Sequence, residues 1–358
     1  MPELRVIDHR AAPAYWAREL GVSREAVDIV LDSHFIDLHL DLEVPVRVIG
    51  YDPTRRHRSP AGRPPPLWGH TDLPRIIEAG FTGVVYDIAT NPARPPRNRQ
   101  RATLNNIRTI QERAARYPNQ LAIVTSVAEY RAAHAEGKLA LWLSLQGGNA
   151  LIHDPSVLEG EVGRLLHRIT LIHLTNSRLG GTSSPAGRDR ALGPLGADLI
   201  ARCNAARIFV DLAHASKRTF WDALACHSPD LPPIVSHTGV DGVRTHWRNL
   251  DDDQVRAIAD RNGVIGIMYQ SNFLQETSGY ADRASIVDHL AHVIDLVGED
   301  YAAIGTDYDG AIVPPHDLAC VTHHPMLIQD MLDRGWSAER IQKILGLNYL
   351  RVASILRP

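Results

Sequence analysis

The chain has 358 residues, 44% of them hydrophobic and 22% charged, an ordinary globular composition with enough apolar material for one large core. Its formal net charge of -3 gives no basis for nucleic acid or an anionic membrane as a partner. No stretch approaches the about 18 apolar residues of a membrane span and the first ten residues lack an apolar signal core, so a soluble, cytoplasmic protein is expected, with Cys203, Cys226 and Cys320 as reduced, buried thiols.

In chain order, residues 11–33 carry a helical apolar pattern (Trp16, Leu20, Val27, Val30, Leu31), which predicts an N-terminal helix beneath the first strand. Residues 35–42 form an apolar run that ends in His39-Leu-Asp41. On a strand, residues two apart point the same way, so this imidazole and this carboxylate project together. Residues 51–66, rich in proline and arginine, predict a loop over the barrel mouth, either a substrate-facing rim or a merely solvated segment. A short capped helix over 70–80 leads to a second strand at 81–88. Helices over 98–117 and 127–138 precede a third strand at 139–146, which ends in Gln146-Gly-Gly. The fourth strand is expected at 169–173, ending in His173, and the glycine-rich loop 176–187 after it has the length of a mobile lid.

Helices at 195–206, 216–227, 251–262 and 281–298 then alternate with strands at 207–214, 233–237, 263–269 and 302–307. These place His214, His237 and Asp307 at strand ends. Three further helices at 326–334, 338–345 and 348–356 complete the chain. Eight alternations of strand and helix predict a (β/α)8 TIM barrel, an α/β fold, as a single domain over 1–358 with a helical extension at about 1–33 and C-terminal helices at about 326–358.

Side chains at the carboxyl ends of successive barrel strands converge on one mouth. His39, Asp41, His214, His237 and Asp307 are all such residues, and imidazoles with carboxylates are the ligands of one or two Zn2+ ions. Such a centre activates water and polarises a carbonyl, the chemistry of a hydrolase. Read singly, each histidine is more simply a hydrogen-bonded core residue; their repetition at strand ends points to a site.

The stretches Asp37-Leu-His39-Leu-Asp41-Leu, Leu145-Gln146-Gly-Gly-Asn-Ala, Thr170-Leu-Ile-His173, Val210-Asp-Leu-Ala-His214, Ile234-Val-Ser-His237, Arg248-Asn-Leu-Asp and Gly305-Thr-Asp307-Tyr-Asp-Gly, in this order, resemble the membrane (renal) dipeptidase family, peptidase family M19, from about residue 30 to the C-terminus. The resemblance implies that His39 and Asp41 ligate one zinc and His214 and His237 the other. It makes Asp307 the catalytic acid/base lying against the metal, His173 the oxyanion-stabilising residue and Arg248 the clamp for the substrate carboxylate. It also implies a small dipeptide-like substrate; a homodimer is a further possible partner. Asp309, one step past the strand end, is expected as a turn residue or an outer support.

The chain departs from that pattern at Gln146, where the family has a bridging glutamate, and at Asn149, where it commonly has histidine. An amide carries no charge to offset the repulsion of two dications. The expectation is a metallodipeptidase with an altered centre in which Gln146→Glu would raise the metal content towards two. Beside it stand a weak or inactive relative that binds a small ligand and a hydrolase of non-peptide amides.

Overall fold

The computed structural model describes residues 2–58, 65, 67–91, 93–187, 189–276 and 279–358. Its centre is a parallel sheet of β1 (Ile36–Leu40), β2 (Gly83–Ala89), β3 (Leu121–Ile123), β4 (Leu139–Gln146), β5 (Leu166–Thr170), β6 (Phe209–Asp211), β7 (Ile234–Thr238), β8 (Val264–Ile267) and β9 (Ala302–Ile304). The order β1-β2-β4-β5-β6-β7-β8-β9 makes eight staves, with β3 paired to the start of β4. The circle closes by a parallel bridge, Leu40 to Tyr308, in which Asp307 N donates to His39 O and Asp41 N to Tyr308 O, each at 3.1 Å. This is the expected α/β barrel, nearly closed, with its last seam made by single bonds rather than a ladder.

Barrel closure explains why the strands read as unbroken apolar runs: every residue of β4 is buried, because one face looks into the barrel and the other at the helices. Trp142, Ser144 and Gln146 climb its inner face. The lower interior is filled by Ile36, Val85, Trp142, Phe209, Ile234 and Val264, and Tyr349, Val352 and Leu356 of the helix Asn348–Leu356 pack into the same cluster. Above this layer the interior turns polar. That change of lining from hydrocarbon to hydrogen-bonding groups is what positions the site.

Several expectations need correction. The N-terminal helix is two, Pro13–Leu20 and Arg24–Asp32, broken at Gly21, which takes φ +66°. The three-residue β3 is absent from the sequence reading because it is too short to show a period. β5 begins at Leu166, three residues earlier than expected, and its register slips between the pairs Leu143↔Leu166 and Ser144↔Arg168. The bulge turns both His167, against Trp142, and Arg168 into the barrel.

Loop 176–187 is tied down rather than free. Leu179 is buried, Asn176 Oδ1 accepts from Thr182 N at 2.8 Å, and Ser183 N donates to His214 O at 2.8 Å. Cys226 is exposed, unlike Cys203 and Cys320, because it lies on the outer face of the last turn of Lys217–Cys226. Residues 59–64 and 66 of the proline-rich loop lie outside the described residues. Before them, Tyr51 stacks on His57 and donates to Thr71 O at 2.8 Å. Among the described residues no helix is long and apolar enough to cross a membrane.

Candidate metal centre

The eight singled-out residues divide between strand ends and the loops that follow them. His39 and Gln146 sit on β1 and β4, His237 on β7; Asp41, His173, His214 and Asp307 lie just beyond β1, β5, β6 and β9. Arg248 comes from the loop between β7 and the helix Asp252–Asp260. Asp41, Gln146, His173, His214, Arg248 and Asp307 all line one cavity of about 750 Å³ at the mouth. His39 and His237 lie beneath it.

Their spacing is close. His39 Nε2 lies 3.5 Å from Asp41 Oδ2 and 3.5 Å from Asp307 Oδ1. The Nε2 atoms of His214 and His237 are 2.8 Å apart, and His39 stacks on His237 with ring centroids 3.8 Å apart. Gln146 Nε2 is 3.2 Å from His39 Nε2 and 3.4 Å from His214 Nε2, while its Oε1 has no partner. His173 meets His214 edge to face at 4.8 Å. His214 and Asp307 both adopt left-handed backbone, φ 64° and 59°, the kind of strain that persists where surrounding structure over-determines it.

Burial sets the electrostatics. It pushes the imidazoles of His39 and His173 down to about 3, and those of His214 and His237 well below the ordinary value, so all four are neutral at pH 7. Burial raises Asp41 to about 7. Asp307 is pushed well up, first by burial and then by the charge of Asp41, with Arg248 opposing. A divalent cation reverses this logic by rewarding the ionised carboxylates and the neutral rings.

The residues fit such a cation. His39, His237 and Asp307 offer ligand atoms within 4.8 Å of one another, and so do His39, Asp41 and Asp87. The first group cuts across the pairing that the resemblance implied. Asp41 Oδ1 is buried without a partner, as an oxygen awaiting a ligand would be. Gly310 backs the carboxylates: a Cβ there would collide with Asp307 Oδ1 and stand 2.8 Å from Asp41 Oδ2.

Around these groups lies a support that strand reading missed. Asp211 Oδ2 accepts from Thr170 Oγ1 and Ser236 Oγ, each at 2.6 Å, and Ser236 Oγ is 2.8 Å from His237 Nδ1. Burial alone would raise Asp211, but Arg168 and these hydroxyls hold it below the usual carboxylate range. Asp309 accepts from Gly69 N at 2.6 Å, from His70 N and Thr71 N at 3.1 Å each and from the Thr71 hydroxyl, so it fastens the segment 69–71 against the barrel. Asn149 lies in the turn Gly148–Ala150, where its carbonyl accepts from Arg99 Nη1 at 3.1 Å.

A nearly closed parallel barrel with buried imidazoles and carboxylates at its carboxyl-end mouth defines a metal-dependent hydrolase. Within that class the chain belongs to the membrane dipeptidases, peptidase family M19, whose model matches residues 23–357. It is similar to dipeptidase AC, a metallo peptidase of family M19, at 26% identity and a TM-score of 0.78, over 90% of this chain and 98% of that one. A metallo peptidase from Rhodobacter sphaeroides, liganded with a phosphinate mimic of the dipeptide L-Ala-D-Ala, is similar at 24% identity and a TM-score of 0.78, over 90% of this chain and 99% of that one. The probable dipeptidase PvdM from Pseudomonas aeruginosa shares the fold at 17% identity and a TM-score of 0.83, over 95% of this chain and 99% of that one.

Proposed function

We propose that the chain hydrolyses the amide bond of a dipeptide, or of a similarly small amide with a free carboxylate, at a metal centre altered by Gln146. The single observation that carries this is the convergence of His214, Asp307, His173 and Arg248 on one cavity. His214 and His237 would hold the cation, and zinc suits two neutral nitrogens with a nearby carboxylate. When bound, such an ion polarises a carbonyl and makes water more acidic.

The chain's own groups do the rest. Asp307 takes a proton from the attacking water and delivers it to the leaving amine, a task suited to a carboxyl whose proton affinity is already raised. His173, neutral through burial, donates a hydrogen bond to the substrate oxygen as charge builds on it. Arg248 gives Nη2 to His237 O at 2.8 Å, which anchors the guanidinium, and the side chain lines the cavity where a substrate carboxylate would lie. The reading favours dipeptides over amides lacking that carboxylate.

The test compares a dipeptide with its C-terminal amide before and after chelation of the protein. Cleavage of the dipeptide alone, lost with the metal, is the expected result. Equal cleavage of both would remove Arg248 from the account. Failure to cleave any dipeptide with metal bound would favour the ligand-binding alternative.

A further inference from the structure

A neutral imidazole has one N–H and one lone pair, and a neighbour that can only donate decides which nitrogen keeps which. At His39 that neighbour is Arg168. Its Nη2 lies 2.7 Å from His39 Nδ1, and the guanidinium is fixed on its other sides by Leu38 O at 2.6 Å, Ser144 Oγ at 2.8 Å and Asp87 Oδ1 at 2.8 Å. Arginine is always charged and offers no acceptor, so Nδ1 must present its lone pair and the ring proton must sit on Nε2. Nε2 is the atom that faces Asp41, Asp307 and Gln146.

The rest of the site agrees with that assignment. The two atoms of a side-chain amide are distinguished by their hydrogen bonds alone. As placed, the Gln146 amide nitrogen faces His39 Nε2 at 3.2 Å, and exchanging the two amide atoms puts the oxygen there to accept the His39 Nε2 proton. His237 is set in the opposite sense. Ser236 donates its one proton to Asp211, accepts from His237 Nδ1–H, and leaves the His237 Nε2 lone pair facing His214. One histidine is prepared as a ligand and the other as a donor.

We infer that Arg168 is a positioning residue that withdraws His39, a member of both groups of clustered ligand atoms, from metal binding, so that the chain holds no more than one divalent cation, left to His237 with its neighbours His214 and Asp307, and the guanidinium with the Gln146 amide occupies the half of the centre where a second would bind. This rests on the proposed metal-dependent function and deepens it. Contrary to the expectation from the sequence, Gln146→Glu alone would then leave the chain with one cation, because Arg168 still claims His39 Nδ1 and Asp87.

The test strips the protein with chelator, exposes it to excess Co2+, desalts it and measures bound cobalt. The natural protein and Gln146→Glu should each retain one equivalent. A variant combining Gln146→Glu with Arg168→Gln and Asp87→Asn, which removes both partners of the ion pair and supplies an amide able to accept from Nδ1–H, should retain two. Two equivalents in Gln146→Glu alone, or one in the triple variant, would overturn the inference while leaving a metal-dependent hydrolase intact. No retained metal in any of them would sink the underlying reading as well. Because the triple variant alters a buried pair, a second measurement uses the natural protein: nitrogen NMR of histidine-labelled protein, with His39 assigned by loss of its signals in His39→Asn. A protonated Nε2 and bare Nδ1, with and without Co2+, support the inference, and the reverse tautomer refutes it.

Discussion

In the proposed function, Arg248 serves the substrate and Ser236, through His237, the metal. Arg248 is buried, with one arm bound to the His237 carbonyl, so its remaining donors meet a carboxylate only through the planar fork. Arg248→Lys should raise KM for a dipeptide by about 10-fold or more, with a smaller change in kcat, since the lost contact is made in ground and transition state alike. Steady-state kinetics on the dipeptide and its amide check this: an unchanged KM would exclude Arg248 as the clamp. Ser236 transmits the charge of Asp211 to His237 through bonds of 2.6 and 2.8 Å. Ser236→Ala should weaken metal affinity roughly 10- to 100-fold, as loss of such supports does, and competition against a fluorescent chelator measures it.

Between the elements, the close approach of β7, β8 and β9 depends on missing side chains. A Cβ on Gly266 or Gly305 would run into the Ser236 carbonyl, in the same residue that orients His237. Gly305→Ala should therefore destabilise the fold by about 1–3 kcal/mol and also weaken metal binding. Urea denaturation beside the chelator assay separates this from a purely local effect, and unaltered stability would contradict the packing described. The same scale shows what was legible in the sequence. His39, Asp41, His214, His237 and Asp307 could be read because each closes an apolar run, and barrel geometry then brings run ends together. Arg168 and Asp87 could not. Arg168 enters the barrel by a bulge that periodicity cannot register, so the sequence reads as a helix ending over 163–167 and a strand starting at 169. Asp87 lies within a strand, and only its ion pair, Oδ1 to Arg168 Nη2 at 2.8 Å, shows what it does.

For the molecule as a whole, so many buried neutral imidazoles predict acid sensitivity. Burial holds His39, His167 and His173 down to about 3 and His227, His289 and His324 to about 4, with His214 and His237 also lowered. In the unfolded chain these groups take up protons near pH 6.5, so the stability they contribute is present above that pH and lost as it falls towards 4. Asp37 and Asp41, raised to about 7, act oppositely, with Asp87 and Asp307 shifted in the same direction. The histidines outnumber them. The unfolding free energy of the metal-free protein should therefore fall from pH 6.5 to 5 by about 1.4 kcal/mol per pH unit for each net proton taken up. Urea titrations across that range would show a flat or rising profile if the imidazoles were not buried neutral.

The claim on which everything else depends is that the barrel mouth hydrolyses small peptides with a bound metal. The most direct measurement strips the protein, adds Zn2+ in steps and follows hydrolysis of a dipeptide against metal bound per chain. Activity absent without metal, rising in proportion and saturating at one equivalent is the predicted result. Undiminished hydrolysis by the metal-free chain, or none at any metal content, would contradict it.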